Sequence, residues 1–188
     1  MLTQISLFLL NTAISLWVGL FLFRWYCLLI RLNLSQSSNQ LNQFVCKLTD
    51  WGVLPLRRIL PKTSRFDIAC FTSAFLVQFM GNLLLTIILT GSFSTQQTLV
   101  VAIFELVSSA LSGITGLLIV FGILSWVNVN SEIVYLLDKL TQPFLSPVRK
   151  FVPMIAGIDI SLLIALLLLQ LVNIVLINLR LMILLWTG

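Results

Sequence analysis

Histidine is absent from the 188 residues. Its absence removes imidazole catalysis, His-ligated haem and the commonest zinc ligand. Cysteine is sparse: Cys27, Cys46 and Cys70 stand apart with no CxxC pair, so a thiolate metal centre or redox motif has no spacing to build on. Charge is also scarce, with 11 Lys and Arg and 6 Asp and Glu making up 9% of the chain. Soluble domains carry about 25%. Although the net charge is +5, the basic residues do not cluster as a nucleic-acid-binding domain requires. Nucleic acid is therefore excluded as a partner. There is no nucleophile paired with a base, no phosphate loop and no pair of carboxylates on one helix face. The expectation is a protein without enzymatic activity, metal or cofactor.

What the chain has is hydrophobic length: 59% of it is apolar. A bilayer core about 30 Å thick needs roughly 20 helical residues to cross it. Four segments reach that length, approximately 5–32, 68–90, 99–127 and 160–186. The first is too long for a secretory signal, its MLTQ start lacks basic residues, and no small-residue cleavage site follows, so it is read as a permanent span.

The few charges set the orientation. Residues 33–66 carry Lys47, Arg57, Arg58, Lys62 and Arg65 against Asp50 alone, and residues 128–158 carry Lys139, Arg149 and Lys150. The start MLTQ, the loop GSFSTQQT and the end WTG carry no Lys or Arg. The positive-inside rule then places both long connections in the cytoplasm and both termini in the periplasm. Arg24 and Arg31, near the inner end of the first span, are expected to snorkel to the same surface.

The prolines fall in two similar stretches, KLTDWGVLPLRRILP from Lys47 and KLTQPFLSPVRKFVP from Lys139. At an offset of 92 residues, Lys47 to Ile68 aligns without a gap on Lys139 to Ile160, and 8 of the 22 pairs are identical. Pro55 meets Pro147, Arg57 meets Arg149, Asp67 meets Asp159 and, farther on, Gln78 meets Gln170. Two crossings per copy give the copies one orientation and an approximate two-fold along the membrane normal. The predicted fold is an all-α membrane protein of four transmembrane helices arranged as two tandem hairpin repeats, 1–92 and 93–188.

Each cytoplasmic connection should contain an amphipathic helix lying on the inner leaflet, about 39–60 and 131–152. Leu41, Phe44, Val45 and Leu48, or Ile133, Leu136, Leu137 and Leu140, form the apolar stripe. Pro55, Pro143 and Pro147 are expected to interrupt it or to start short turns. The pairs Arg57 with Arg58 and Arg149 with Lys150 lie at headgroup level, where they can anchor the fold, bind anionic lipid, or dock a soluble partner. Asp67 and Asp159 precede apolar runs and suit helix N-caps, with a cation or proton site as the alternative.

Polar residues inside the spans are costly, so each asks for a role. Glu105 and Arg180 each lie six residues from the outer end of their span, about 9 Å deep, and either pair or snorkel separately. Gln78 and Gln170 fall near the midplane, where they can bond across helices or line a polar path. In the third span Ser108, Ser112 and Gly116, and separately Ser109 and Gly113, recur at intervals of four. That spacing suits close helix packing and makes this span the expected central or self-associating one.

The segment FRWYCLLIRLNLSQSSNQLNQFVCKLTDWGVLPLRRILPKTSRFDIA and its echo ILSWVNVN…LLDKLTQPFLSPVRKFVPMIAGIDIS resemble the YggT family of small bacterial inner-membrane proteins in its two-repeat form. The resemblance covers nearly the whole chain. The first copy departs from the pattern after its threonine, with Asp50 and Trp51 where the second has Gln142 and Pro143. The resemblance implies a bacterial inner-membrane location. It also implies links to osmotic-shock tolerance, ion uptake or assembly of membrane complexes. Two functions follow as expectations: a non-catalytic scaffold contacting lipids, a membrane-protein partner or a second copy of itself, and a small channel or transport component.

Overall fold

The structure is a computed structural model and describes residues 2–30, 40–59, 67–90, 95–126, 132–150 and 160–187. All secondary structure among these residues is helical: α1 (Leu2–Leu29), α2 (Gln40–Ile59), α3 (Ile68–Thr90), α4 (Thr95–Trp126), α5 (Glu132–Arg149) and α6 (Ile160–Thr187). Four of them, α1, α3, α4 and α6, are long and apolar enough to cross a bilayer. Hydrocarbon leaves a helix no alternative, because every N–H and C=O must be satisfied within the segment. Hydroxyls along the spans obey the same demand by donating to the carbonyl one turn back, as Thr12 does to Phe8 at 2.7 Å and Thr115 to Leu111 at 2.8 Å. The large side chains left exposed on the spans, such as Phe8, Ile88 and Leu167, are the surface that lipid covers.

Contacts divide the chain into two compact units, Met1–Ala110 with Arg180–Gly188, and Leu111–Leu179. The first has a core of Val18, Phe21, Leu22, Val53, Ala69, Cys70, Ala74 and Leu106. Its tightest seam lies between α1 and α3, where a Cβ on Gly81 would fall 2.6 Å from Ile14 Cδ1. The second unit is built around Leu118, Phe121, Leu137, Leu145, Leu162 and Ala165.

The connections differ from expectation in one respect. Both short helices run straight through their prolines, α2 past Pro55 and α5 past Pro143 and Pro147, rather than breaking into a helix and a turn. All three prolines are exposed, so the carbonyl that each deprives of its partner can face water instead of a packed interior. The buried row of the elbow helix is also not the whole predicted stripe. Val45, Thr49 and Val53 are buried in α2, and Leu137, Thr141 and Leu145 occupy the matching positions of α5, whereas Phe44 is 61% exposed.

Candidate functional sites: an elbow latch and an intramembrane polar cluster

Arg24 lies about five residues, or roughly 8 Å, inside the end of α1. It does not snorkel. Its side chain is 6% exposed, and Nη1 donates to the Thr49 hydroxyl at 2.5 Å, the Asp50 carboxylate at 2.8 Å and the Cys46 carbonyl at 3.3 Å. The reason is local: the last turns of α1, where Phe21, Leu22, Arg24 and Cys27 are buried, pack against the buried row of α2, so the guanidinium reaches acceptors on the elbow before it reaches solvent. Thr49 also donates to Val45 O at 2.7 Å, leaving its lone pairs for the arginine. A buried cation is tolerable when it is paired and hydrogen-bonded, and Nη1 of Arg24 is both. Arg31, the other cation expected to snorkel, lies outside the described residues.

A second tie closes the same elbow. Arg57 Nη2 donates to Asp67 Oδ2, joining the last turn of α2 to the residue before α3. Asp67 also stands at the N-terminus of α3, where its backbone carbonyl accepts from Cys70 N at 3.2 Å and the Cys70 thiol lies 3.5 Å from Oδ2. Partial burial pushes the Asp67 carboxyl up, but the hydrogen bond and positive charge of Arg57 outweigh it and hold the group below its ordinary value. For Arg57, burial alone would lower the basicity, yet the bond and charge of Asp67 raise it on balance. Arg57 is thus engaged in a latch, while its neighbour Arg58 is exposed. In the second copy Arg149 is half-buried and Lys150 exposed; Asp159, the counterpart of Asp67, lies outside the described residues.

Around the latch the helices touch closely. Ser73 donates to Ala69 O at 2.7 Å and reaches Gly52 O at 3.3 Å, and a Cβ on Gly52 would fall 2.8 Å from Phe21 Cζ. Trp51 stands edge-on to Trp17 at 5.4 Å while remaining 60% exposed.

The second constellation lies within the spans. Arg180 Nη1 is 3.1 Å from Glu105 Oε1, and Gln78 Nε2 donates to Glu105 Oε2 at 2.9 Å and to Asn82 Oδ1 at 3.1 Å. Gln78 and Asn82 are 5% and 6% exposed, and Asn82 Nδ2 is buried with no hydrogen-bond partner among the described residues. Glu105 and Arg180 retain about a third of their exposure, so α3, α4 and the end of α6 are joined by a network that is dry at one end and open at the other. Gln170 does not share this environment: it is exposed on α6. The two glutamines that the repeat aligns therefore have unlike roles, the amide of Gln78 being committed to Asn82 and Glu105.

The small residues of α4 lie mostly on an open face. Ser112, Gly113 and Gly116 are exposed, Ser108 and Ser109 half-buried, and a Cβ on Gly113 or Gly116 would meet nothing within 4 Å among the described residues. Close contact falls instead at Gly52, Gly81 and Gly122, against the side chains of Phe21, Ile14 and Leu162. Interval-of-four spacing identifies a face but not whether a neighbour occupies it. Among the described residues no three His, Cys, Asp or Glu side chains gather to hold a metal.

The Arg24–Thr49–Asp50 latch was not anticipated from the sequence, though a signal exists there. Asp50 becomes Gln142 at the 92-residue offset, and α4, the span preceding that copy, contains no Lys or Arg. Acid and base are missing together from the second copy, as expected of a pair.

A family model described as CCB3/YggT matches residues 3–88 and again 100–180. The chain belongs to the CCB3/YggT family. Two matches in succession fit the two-repeat form of that family. An uncharacterized protein of Vibrio alginolyticus is 30% identical over 169 residues, covering 88% of this chain and 90% of its own. The uncharacterized protein YggT of Escherichia coli strain K12 is 31% identical over 175 residues, covering 88% and 86%. A further uncharacterized protein, from Pseudomonas aeruginosa, is 31% identical over 178 residues, covering 92% and 88%. No solved structure matches the chain.

Proposed function

We propose that this multi-pass membrane protein is a non-enzymatic scaffold or assembly factor of the bacterial inner membrane, with both termini periplasmic and its two elbows presented at the cytoplasmic surface. The observation that carries this reading is the latch: α2 is held by Arg24 and by the Arg57–Asp67 pair. A helix fixed in this way loses little further entropy when a partner docks, which is how preorganised surfaces gain affinity. Its outward side offers Phe44, Trp51 and Leu54, each more than half exposed, beside the cation Arg58. Aromatic anchors with a basic rim suit a membrane-protein partner seated on the headgroup layer, and Arg149 with Lys150 give the second elbow the same affinity for anionic lipid. A photo-crosslinking amino acid at Leu54 should yield a protein adduct in cells, and Asp50→Ala should reduce it. Adducts with lipid alone, at both elbows, would overturn the scaffold.

A second reading is favoured by one observation, the unpartnered Asn82 Nδ2 beside Gln78 and Glu105. A buried donor with no acceptor marks a place where an acceptor such as water can reside, and the Glu105 carboxylate of the same network is the group that would meet potassium or another small cation in a transport component for osmotic stress. So few polar groups line the spans that a hydrated path requires several chains. Purified protein in liposomes should then pass potassium, with Gln78→Leu abolishing the flux. Ion-tight vesicles at every protein density would remove this reading.

A further inference from the structure

We infer that the second elbow holds a slot for one acyl chain of an anionic phospholipid. The 92-residue offset places Phe144 opposite Gly52, Ala165 opposite Ser73 and Pro143 opposite Trp51. In the first copy the space beside Gly52 is taken by Phe21 of α1, whose Cζ would lie 2.8 Å from a Cβ there, and the Ser73 hydroxyl of α3 lies 3.3 Å from Gly52 O. In the second, a phenyl ring stands where the glycine was and a methyl where the hydroxyl was. The hydroxyl contact between the two helices cannot form there, although Leu137 and Leu145 of α5 still share a core with Leu162 and Ala165 of α6. What remains is a groove of about 470 Å³ lined by Pro143, Phe144, Pro147, Ala165, Leu168 and Leu169, among others.

The chemistry of the groove selects its occupant. Its lining side chains are all apolar, and the two prolines contribute no N–H, so a polar solute would find too few partners to fix it. A helix about 10 Å across would cover such a groove rather than enter it. An acyl chain needs neither polar partner nor width. At the mouth, Val148 of the lining is followed by Arg149 and the exposed Lys150, which supply positive charge where a headgroup would sit. The inference rests on the proposed function only in placing those two cations at headgroup level.

The full chain, purified and stripped of lipid in detergent, is to be titrated with phosphatidylglycerol or phosphatidylcholine of identical acyl chains, and bound lipid counted by native mass spectrometry. One phosphatidylglycerol should be retained per chain, with a preference over phosphatidylcholine on the order of tenfold that Arg149→Gln with Lys150→Gln abolishes. Leu168→Trp should fill the slot and remove the bound lipid, while Leu76→Trp, at the matching position of the first copy, should leave it. Should the tryptophan disturb folding, Leu168→Phe places a smaller ring in the same lining and should likewise reduce the bound lipid. Lipid retained unchanged by both groove variants would overturn the proposal, as would equal retention of the two headgroups. A lipid-free dimer dispersed by Leu168→Trp would assign the groove to a second copy and likewise overturn it. Bound-lipid mass is independent of protein crosslinking, so failure of the scaffold and failure of the slot are separate results.

Discussion

Removing Asp50 should harm this protein more than removing its partner Arg24, and the asymmetry follows from exposure. The Arg24 side chain is 6% exposed and that of Asp50 is 40% exposed. Asp50→Ala leaves a guanidinium with only the Thr49 hydroxyl and the Cys46 carbonyl, without the negative charge that offsets its desolvation. Breaking a buried pair in this way costs about 3–5 kcal/mol, which water on the Asp50 side reduces to about 2–3 kcal/mol. Arg24→Met keeps much of the aliphatic volume and removes the charge. Asp50 then turns to solvent, and Thr49 keeps its 2.7 Å bond to Val45, so the loss should be about 1 kcal/mol. Combining both changes should cost little more than Arg24→Met alone, because the buried charge that makes the Asp50 variant costly is gone. For a chain of this size 1 kcal/mol shifts Tm by about 2–4 °C, so the expected drops are about 4–12 °C for Asp50→Ala and 2–4 °C for Arg24→Met and the double variant. Thermal unfolding followed by circular dichroism in detergent, with the emission of the five tryptophans as a second probe, measures all three. Equal drops for the single variants with additive loss in the double would refute the latch.

The Asp67 carboxyl is held below its ordinary value by Arg57, so its contribution to stability is complete above the unfolded carboxylate pKa of about 4 and is lost as pH falls through the lower folded value. Acid unfolding of the wild type should therefore show a component that Asp67→Asn lacks, and superimposable acid limbs would contradict it. Glu105→Ala and Arg180→Ala should each destabilise, with the double variant no worse than the more damaging single; strictly additive losses would mean that the 3.1 Å contact has no energetic weight. A Cβ on Gly81 would fall within 3.0 Å of three Ile14 atoms, so Gly81→Ala should cost about 1–3 kcal/mol in a chemical-denaturation series, whereas Gly116→Ala, with open space around it, should be neutral or gain a few tenths from helix propensity.

The four spans were legible because hydrophobic length is a sum over local residues: expected boundaries of 68–90 and 160–186 compare with Ile68–Thr90 and Ile160–Thr187 in the structure. The elbow helices were legible from their apolar spacing, at Gln40–Ile59 and Glu132–Arg149. Their continuity was not, since proline's cost depends on whether the carbonyl it frees is buried, and Pro55, Pro143 and Pro147 are exposed. The proximity of Glu105 and Arg180 could be framed from equal depth in the membrane, but depth fixes one coordinate only, and the rotation of α3 brings Gln78 into the same network.

The sequence by itself determined how many helices are long enough to cross a bilayer and where the elbows fall between them, because each is a property of one segment in its solvent. The tertiary structure decided which partner each polar group takes. A helix turns about 100° per residue, so the direction in which Arg24, Gln78 or Gly116 points, and what it meets there, depends on the packing of another segment. The difference between the elbows is of the same kind. Gly52 and Phe144 are one aligned pair among 22, and only the packing around them decides that Phe21 of α1 covers the first while the second lines a groove with α6.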